Sequence, residues 1–236
     1  MNVSSLNEQS QAFMAYLVEW AERLPALKSE EVFHDPARVA IVSVDVINGF
    51  CAFGPLASPR VGQIVEPIAQ LFERAWRAGV RNILLIQDTH EPDAVEFAQW
   101  PPHCVRGTAE AEPVDRFKQL PFFSQMIQMP KNSIHSGLNT GLNAWVADHP
   151  DVETFVVVGD CTDLCTYQLA MHLRLDANAR QLSRRVVLPV DCVETYDLPV
   201  EVAQAQNLLP HPGDLLHGVF LYHMALNGVE VAARIK

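Results

Sequence analysis

The sequence predicts an α/β domain built on a mainly parallel sheet. Three observations carry this. First, Val39–Val44 and residues 155–158 are short, near-continuous apolar runs rich in β-branched side chains, as expected of strands buried on both faces. Second, Val61, Ile64, Val65, Ile68, Leu71, Phe72 and Trp76 recur at helical spacing between the first run and another at 82–86, with Gly79 as a C-cap. That strand, helix, strand order is a βαβ unit, which implies a parallel pair and a right-handed crossover. Third, 236 residues, 49% of them apolar, suffice for one sizeable core.

Taken in order, residues 1–37 read as an N-terminal helical extension and 38–236 as the main domain. Within 1–30, Phe13, Met14, Leu17, Val18, Trp20, Ala21 and Leu24 form an apolar stripe that Pro25 ends. The stripe needs a partner, either the main body or another subunit. Asp45 closes the first strand, and Asn48-Gly49-Phe50-Cys51 follows as a loop. The second strand ends near Asp88. Residues 88–114 are irregular and rich in proline, histidine and acids, and a long irregular stretch inside a compact domain is usually functional. A short strand is expected at 124–129, before Pro130-Lys131-Asn132, and a helix at 143–149. The strand at 155–158 is punctuated by Gly159 and Asp160. Thr162 or Asp163 is then expected to cap a helix whose buried face carries Leu169, Ala170 and Leu173. A strand at 185–190, a helix at 214–225 and a last strand at 228–231 complete the chain. No repeat or linker divides it.

The formal charge of -11 argues against broad nucleic-acid binding and against an anionic membrane surface. No run approaches the roughly 20 apolar residues of a membrane-spanning helix, and no signal peptide is evident. The five cysteines, Cys51, Cys104, Cys161, Cys165 and Cys192, are an odd number and do not form a secreted disulfide framework. A reducing cytoplasm is the expected setting. The N-terminal stripe, with Leu215, Leu216, Val219, Phe220 and Tyr222 near the other end, makes a homo-oligomer the expected assembly.

Asp45, Asp88, Lys131 and Cys165 each fall just after an expected strand. In an open parallel sheet the carboxyl ends converge on one crevice, so four distant residues can meet there. Cys165 lies in or near the first turn of its helix, where free N–H groups and the dipole stabilise a thiolate or a developing oxyanion. Cysteine is also often a small core residue. Asp45 is a candidate base, or a strand-end turn residue. Lys131 is a candidate cation, or an ordinary solvated lysine. Asp88, His90, Glu96 and His103 are suited to a divalent metal such as zinc, manganese or iron, although loop acids and histidines are common. Phe50 and Trp100 can sandwich a planar ring or simply pack.

In combination these segments resemble the isochorismatase-like cysteine hydrolases, in their nicotinamidase/pyrazinamidase branch. The matching pieces are Val44-Asp45-Val46-Ile47-Asn48-Gly49-Phe50-Cys51, Asp88-Thr89-His90, Trp100-Pro101-Pro102-His103-Cys104-Val105-Arg106-Gly107-Thr108, Lys131, and Gly159-Asp160-Cys161-Thr162-Asp163-Leu164-Cys165. They span roughly 38–235 in the family's order. The resemblance implies a three-layer α/β/α sandwich around a six-stranded, mainly parallel sheet. It implies a triad of Asp45, Lys131 and Cys165 that cleaves a small carboxamide through a thioester, with an oxyanion on the backbone N–H groups of Cys161 and Cys165. A cis peptide before Cys161 follows from the same resemblance. So do a metal on Asp88, His90 and His103, with Glu96 as a fourth ligand, zinc before manganese or iron, and a ring flanked by Phe50 and Trp100. The chain departs where nicotinamidases usually carry glutamine (Ile47) and often aspartate (Gly49). A related amidase acting on N-carbamoyl compounds is the alternative enzyme. Isochorismate hydrolysis fits less well, since such enzymes generally lack the nucleophilic cysteine. A phosphohydrolase would need a second aspartate where Ile47 stands. A non-catalytic metal-binding or interaction scaffold is the alternative of another class.

Overall fold

The computed structural model describes residues 2–236. Its centre is Val39–Val44 (β1), buried at every position. The other main strands are Asn82–Asp88 (β2), Ile127–Lys131 (β3), Thr154–Asp160 (β4), Arg185–Pro189 (β5) and Glu230–Ala232 (β6). They lie in the order β3-β2-β1-β4-β5-β6, and each neighbouring pair is parallel. A two-residue strand, Val193–Glu194, pairs with the end of β4 as a seventh member of the sheet. The six-stranded parallel core expected from the resemblance is therefore present, with one short addition. The order reverses between β1 and β4, which places a crevice at their carboxyl ends.

Alternation along the buried strands supplies two cores. Ile41, Ile83, Leu85, Val156 and Val158 face one layer, where Ile68, Leu71, Phe72 and Ala75 of Val65–Ala78 (α2) pack with Phe117. Ala40, Val42, Val44, Leu84, Ile86, Phe155 and Val157 face the other. There they meet Leu142–Asp148 (α3), Cys165–Ala179 (α4) and Gly213–Leu226 (α5). Helices on both faces are what a parallel sheet with two apolar faces requires. Gly79 ends α2 with φ 105, as its C-cap role demands.

The expected extension begins at residue 1, which lies outside the described residues. From there Val3–Glu22 (α1) forms a helix that stops before Pro25. Its stripe finds a partner within the chain: Phe13 and Trp20, with Tyr16 beside the stripe, set their rings around Tyr222 of α5 at 5.3, 5.5 and 5.8 Å. Residues 26–27 pair with 234–235, and Val32 and Phe33 join the first core. No described helix is long and apolar enough to cross a membrane.

Several boundaries move. The helical stripe at 61–76 breaks into Pro59–Gly62 and α2, where the N–H groups of Gln63 and Ile64 close onto Arg60 and Val61 three residues back. Asn48–Cys51 is a one-turn helix rather than a loop, because backbone N–H groups of Cys51 and Ala52 close onto Ile47 and Asn48. The strand expected at 124–129 starts later, at Ile127, so Lys131 is its last residue.

Candidate active site

Asp45 leaves β1 with φ 59, a left-handed conformation that aspartate tolerates better than most residues. Its N–H donates to the Ile86 carbonyl (2.9 Å), and its Oδ1 accepts from the Asp88 N–H (2.7 Å). Two strand ends thus hold the carboxylate. Lys131, at the end of β3 and 2% exposed, carries its ammonium between them. Nζ lies 2.8 Å from Asp45 Oδ2, 2.5 Å from Asp88 Oδ1 and 3.6 Å from Cys165 Sγ. Cys165 is the first residue of α4, so its N–H has no acceptor one turn back. The residue is 7% exposed, and the sulfur lies within 4.8 Å of carboxylate oxygens of Asp45 and Asp88. The Asp45, Asp88 and Cys165 atoms could geometrically ligate a cation, but the Lys131 ammonium already occupies that role.

Burial and charge set the protonation states. Burial, reinforced by Asp88, raises Asp45 to about 6, against the opposing pull of Lys131. Burial also raises the Cys165 thiol well above its usual range, with Lys131 opposing and both carboxylates adding to the rise. The resting sulfur is therefore a thiol beside a carboxylate poised near neutrality. Burial acts against the Lys131 cation, but Asp45 and Asp88 outweigh it and keep the ammonium charged. Burial opposes ionisation of Asp88 too, and Lys131 with His90 more than compensates.

Asp88 joins this cluster to a second one. One donor atom each from Asp88, His90 and His103 lies within 4.8 Å of the others, all three residues buried. A parallel bridge between His90 and Val105 brings the loop back on itself, with the His90 N–H on the Cys104 carbonyl at 3.0 Å. His90 Nδ1 faces Asn132 Oδ1 at 3.0 Å, and His103 Nδ1 faces the Pro101 carbonyl at 2.8 Å. Both acceptors favour the Nδ1–H tautomer, which leaves each Nε2 lone pair free. His90 Nε2 is buried without a hydrogen-bond partner and sits 3.5 Å from Asp88 Oδ1. An orphaned imidazole nitrogen, a second imidazole and a carboxylate fit a divalent cation. Glu96, half-buried on the turn Val95–Ala98, lies outside this three-atom group. Phe97 covers the two imidazoles at 5.4 and 5.7 Å.

Of the aromatic pair expected around a ring, Phe50 lies 5.6 Å from His103, and Trp100 stands edge-on to Tyr196 at 6.4 Å. The peptide between Asp160 and Cys161 is cis. Neither Thr162 nor Asp163 caps α4; Leu164 occupies the cap position. Thr162 Oγ1 instead meets His217 Nδ1 at 2.9 Å, and Asp163 takes Thr195 and His211 at 2.6 and 2.8 Å. These longer-range partners outcompete the local cap. Gly49 has a packing reason of its own: a Cβ there would lie 2.5 Å from Cys104 Sγ. Asn132, Phe97, Tyr196 and the Asp163–His211 pair were not singled out from the sequence, and nothing short of tertiary contact marks them.

Comparison with known proteins gives this geometry a family. The model of the isochorismatase domain matches residues 39–211. Nicotinamidase 1 of Arabidopsis thaliana is 30% identical over 225 residues, covering 87% of this chain and 89% of that protein. The crystal structure of a zinc-bound pyrazinamidase of Pyrococcus horikoshii has a TM-score of 0.64 at 21% identity, covering 83% of this chain and 98% of that one. N-carbamoylsarcosine amidase of Thermoplasma acidophilum has a TM-score of 0.61 at 22% identity, covering 83% and 95%. By domain match and sequence likeness together, the chain belongs to the isochorismatase family, in its nicotinamidase/pyrazinamidase branch.

Proposed function

We propose that this isochorismatase-like hydrolase is a cysteine amidohydrolase of nicotinamidase type, converting a small carboxamide to its acid and ammonia. One observation carries the reading: a single buried ammonium lies within 2.8 Å of the Asp45 carboxylate and 3.6 Å of the Cys165 sulfur. The names of the relatives point the same way.

In this reading Asp45 takes the Cys165 proton as the sulfur attacks the amide carbon. Lys131 holds the carboxylate in place and offsets charge on the sulfur. The oxyanion is held by the N–H groups of Cys161 and Cys165. Asp45 returns its proton to the leaving nitrogen, ammonia departs, and a thioester remains. Asp45 then deprotonates water, whose oxygen attacks the thioester; the acid departs as Asp45 returns the proton to the leaving sulfur, which restores the thiol. Asp88, His90 and His103 would hold a divalent metal, zinc before manganese or iron, with Glu96 as an outer contributor. When bound, that ion supplies a Lewis-acidic contact for the substrate. Phe50 and Trp100 flank the substrate ring. A reducing, cytoplasmic setting and a homo-oligomeric assembly remain part of this reading.

The test is ammonia release from nicotinamide and pyrazinamide by the purified protein, beside Cys165→Ala. Turnover lost in the variant supports the reading. Release from N-carbamoyl compounds alone would move the substrate class, and no release from any amide with metal present would defeat it.

A further inference from the structure

The strap that follows Val193–Glu194 is fixed to the candidate site from several sides. The Thr162 N–H donates to the Glu194 carbonyl at 3.0 Å, and Thr195 Oγ1 donates to Asp163 Oδ1 at 2.6 Å. The backbone of Tyr196 reaches the Cys161 thiol. Leu198 and His211 form an antiparallel bridge with N–H to carbonyl distances of 2.8 and 2.9 Å. The Gly213 N–H donates to Asp197 Oδ1 at 2.8 Å, and any Cβ on Gly213 would come within 2.7 Å of the Tyr196 carbonyl.

The ring at the centre of this strap is held as firmly as its backbone. Tyr196 stacks on His211, with centroids 3.8 Å apart and planes 17° from parallel. His211 is itself clamped, with Nε2 2.8 Å from Asp163 Oδ2 and Nδ1 2.9 Å from the Tyr196 carbonyl. Trp100 stands across from Tyr196 at 85°. Tyr196 is half-buried, so part of its surface stays open beside this strap. A pre-set aromatic plane beside the Cys161 end of β4 loses little conformational freedom when a flat ligand settles on it.

We propose that Tyr196 is a specificity-determining wall for a planar aromatic ring, with His211 and Asp163 as positioning residues that set its plane. This deepens the amidase reading and rests on it for the identity of the reaction. The wall acts on ring binding and leaves the bond-breaking step to the triad.

The experiment uses the full chain in two formats. In turnover, Tyr196→Ala should raise KM for nicotinamide about tenfold with kcat within about twofold, whereas Tyr196→Phe should stay near the parent. Propionamide, which has no ring, should show no change in kcat/KM. His211→Ala should give the same KM-only pattern at smaller size. In binding, calorimetric titration of nicotinate into Cys165→Ala should weaken about tenfold when Tyr196→Ala is added. Unchanged nicotinate affinity, or an equal loss with both amides, would overturn the wall and leave Tyr196 a structural residue. A parent that binds no nicotinate would overturn it too. If no amide is cleaved by the parent but nicotinate binding still falls in Tyr196→Ala, the amidase reading fails and the wall stands.

Discussion

At the scale of single residues, the Lys131 ammonium decides the chemistry. It faces two buried carboxylates and a thiol, so replacing it removes the cation that sits between Asp45 and Asp88. Lys131→Met should lower stability by about 3–5 kcal/mol, measured by urea unfolding, because Asp45 and Asp88 are left as uncompensated buried charge. Asp45→Asn removes the proton acceptor and should cut kcat/KM by about 10²- to 10⁴-fold. The pH profile follows from the same residue. Asp45 must be ionised to accept the thiol proton, and burial raises it to about 6. In the parent, kcat/KM should therefore be full above that pH and fall about tenfold per unit below it. A profile flat down to pH 4 would remove Asp45 from the role of base. Asn132 holds His90 through Nδ1, so Asn132→Ala should weaken metal affinity by about 10- to 100-fold in a competitive chelator titration.

At the scale of elements, β1 and β4, whose carboxyl ends border the crevice, approach each other closely there. Gly159 has φ 121, and a Cβ there would fall 2.0 Å from the Val44 carbonyl oxygen. Gly159→Ala should therefore cost more than about 3 kcal/mol in unfolding free energy, since only backbone movement relieves the contact. A cost under about 1 kcal/mol would mean the two strands separate easily. Strand and helix identity was legible in the sequence where runs were long and periodic, as in β1, β4 and α2. The start of β3 was not, because 123–126 is a polar and apolar mixture whose 3₁₀ turn is fixed by contacts of the Phe122 and Phe123 backbone. The cap of α4 was misread for a related reason. Thr162 and Asp163 are good local caps by residue type, but His217, Thr195 and His211 lie far along the chain and claim them.

At the scale of the whole molecule, α1 is tied to the domain through Tyr222, through Leu17 beside Gly218, and through Trp20 against the second core. Tyr222 receives Phe13, Tyr16 and Trp20, and edge contacts of this kind contribute about 0.5–1.5 kcal/mol each. Tyr222→Ala should lower Tm by several degrees in calorimetry while leaving the nicotinate affinity of Cys165→Ala unchanged. An altered affinity would show that α1 communicates with the crevice.

The sequence by itself determined the layered α/β architecture and the fact that Asp45, Asp88, Lys131 and Cys165 end or follow strands, because burial periodicity is local and parallel sheets gather their carboxyl ends. Tertiary structure alone decided which nitrogen of His90 and His103 is left free, that Glu96 stays outside the three-atom group, and that Tyr196 lies on His211. Those outcomes depend on hydrogen bonds and ring contacts between residues remote in sequence, which no local pattern encodes.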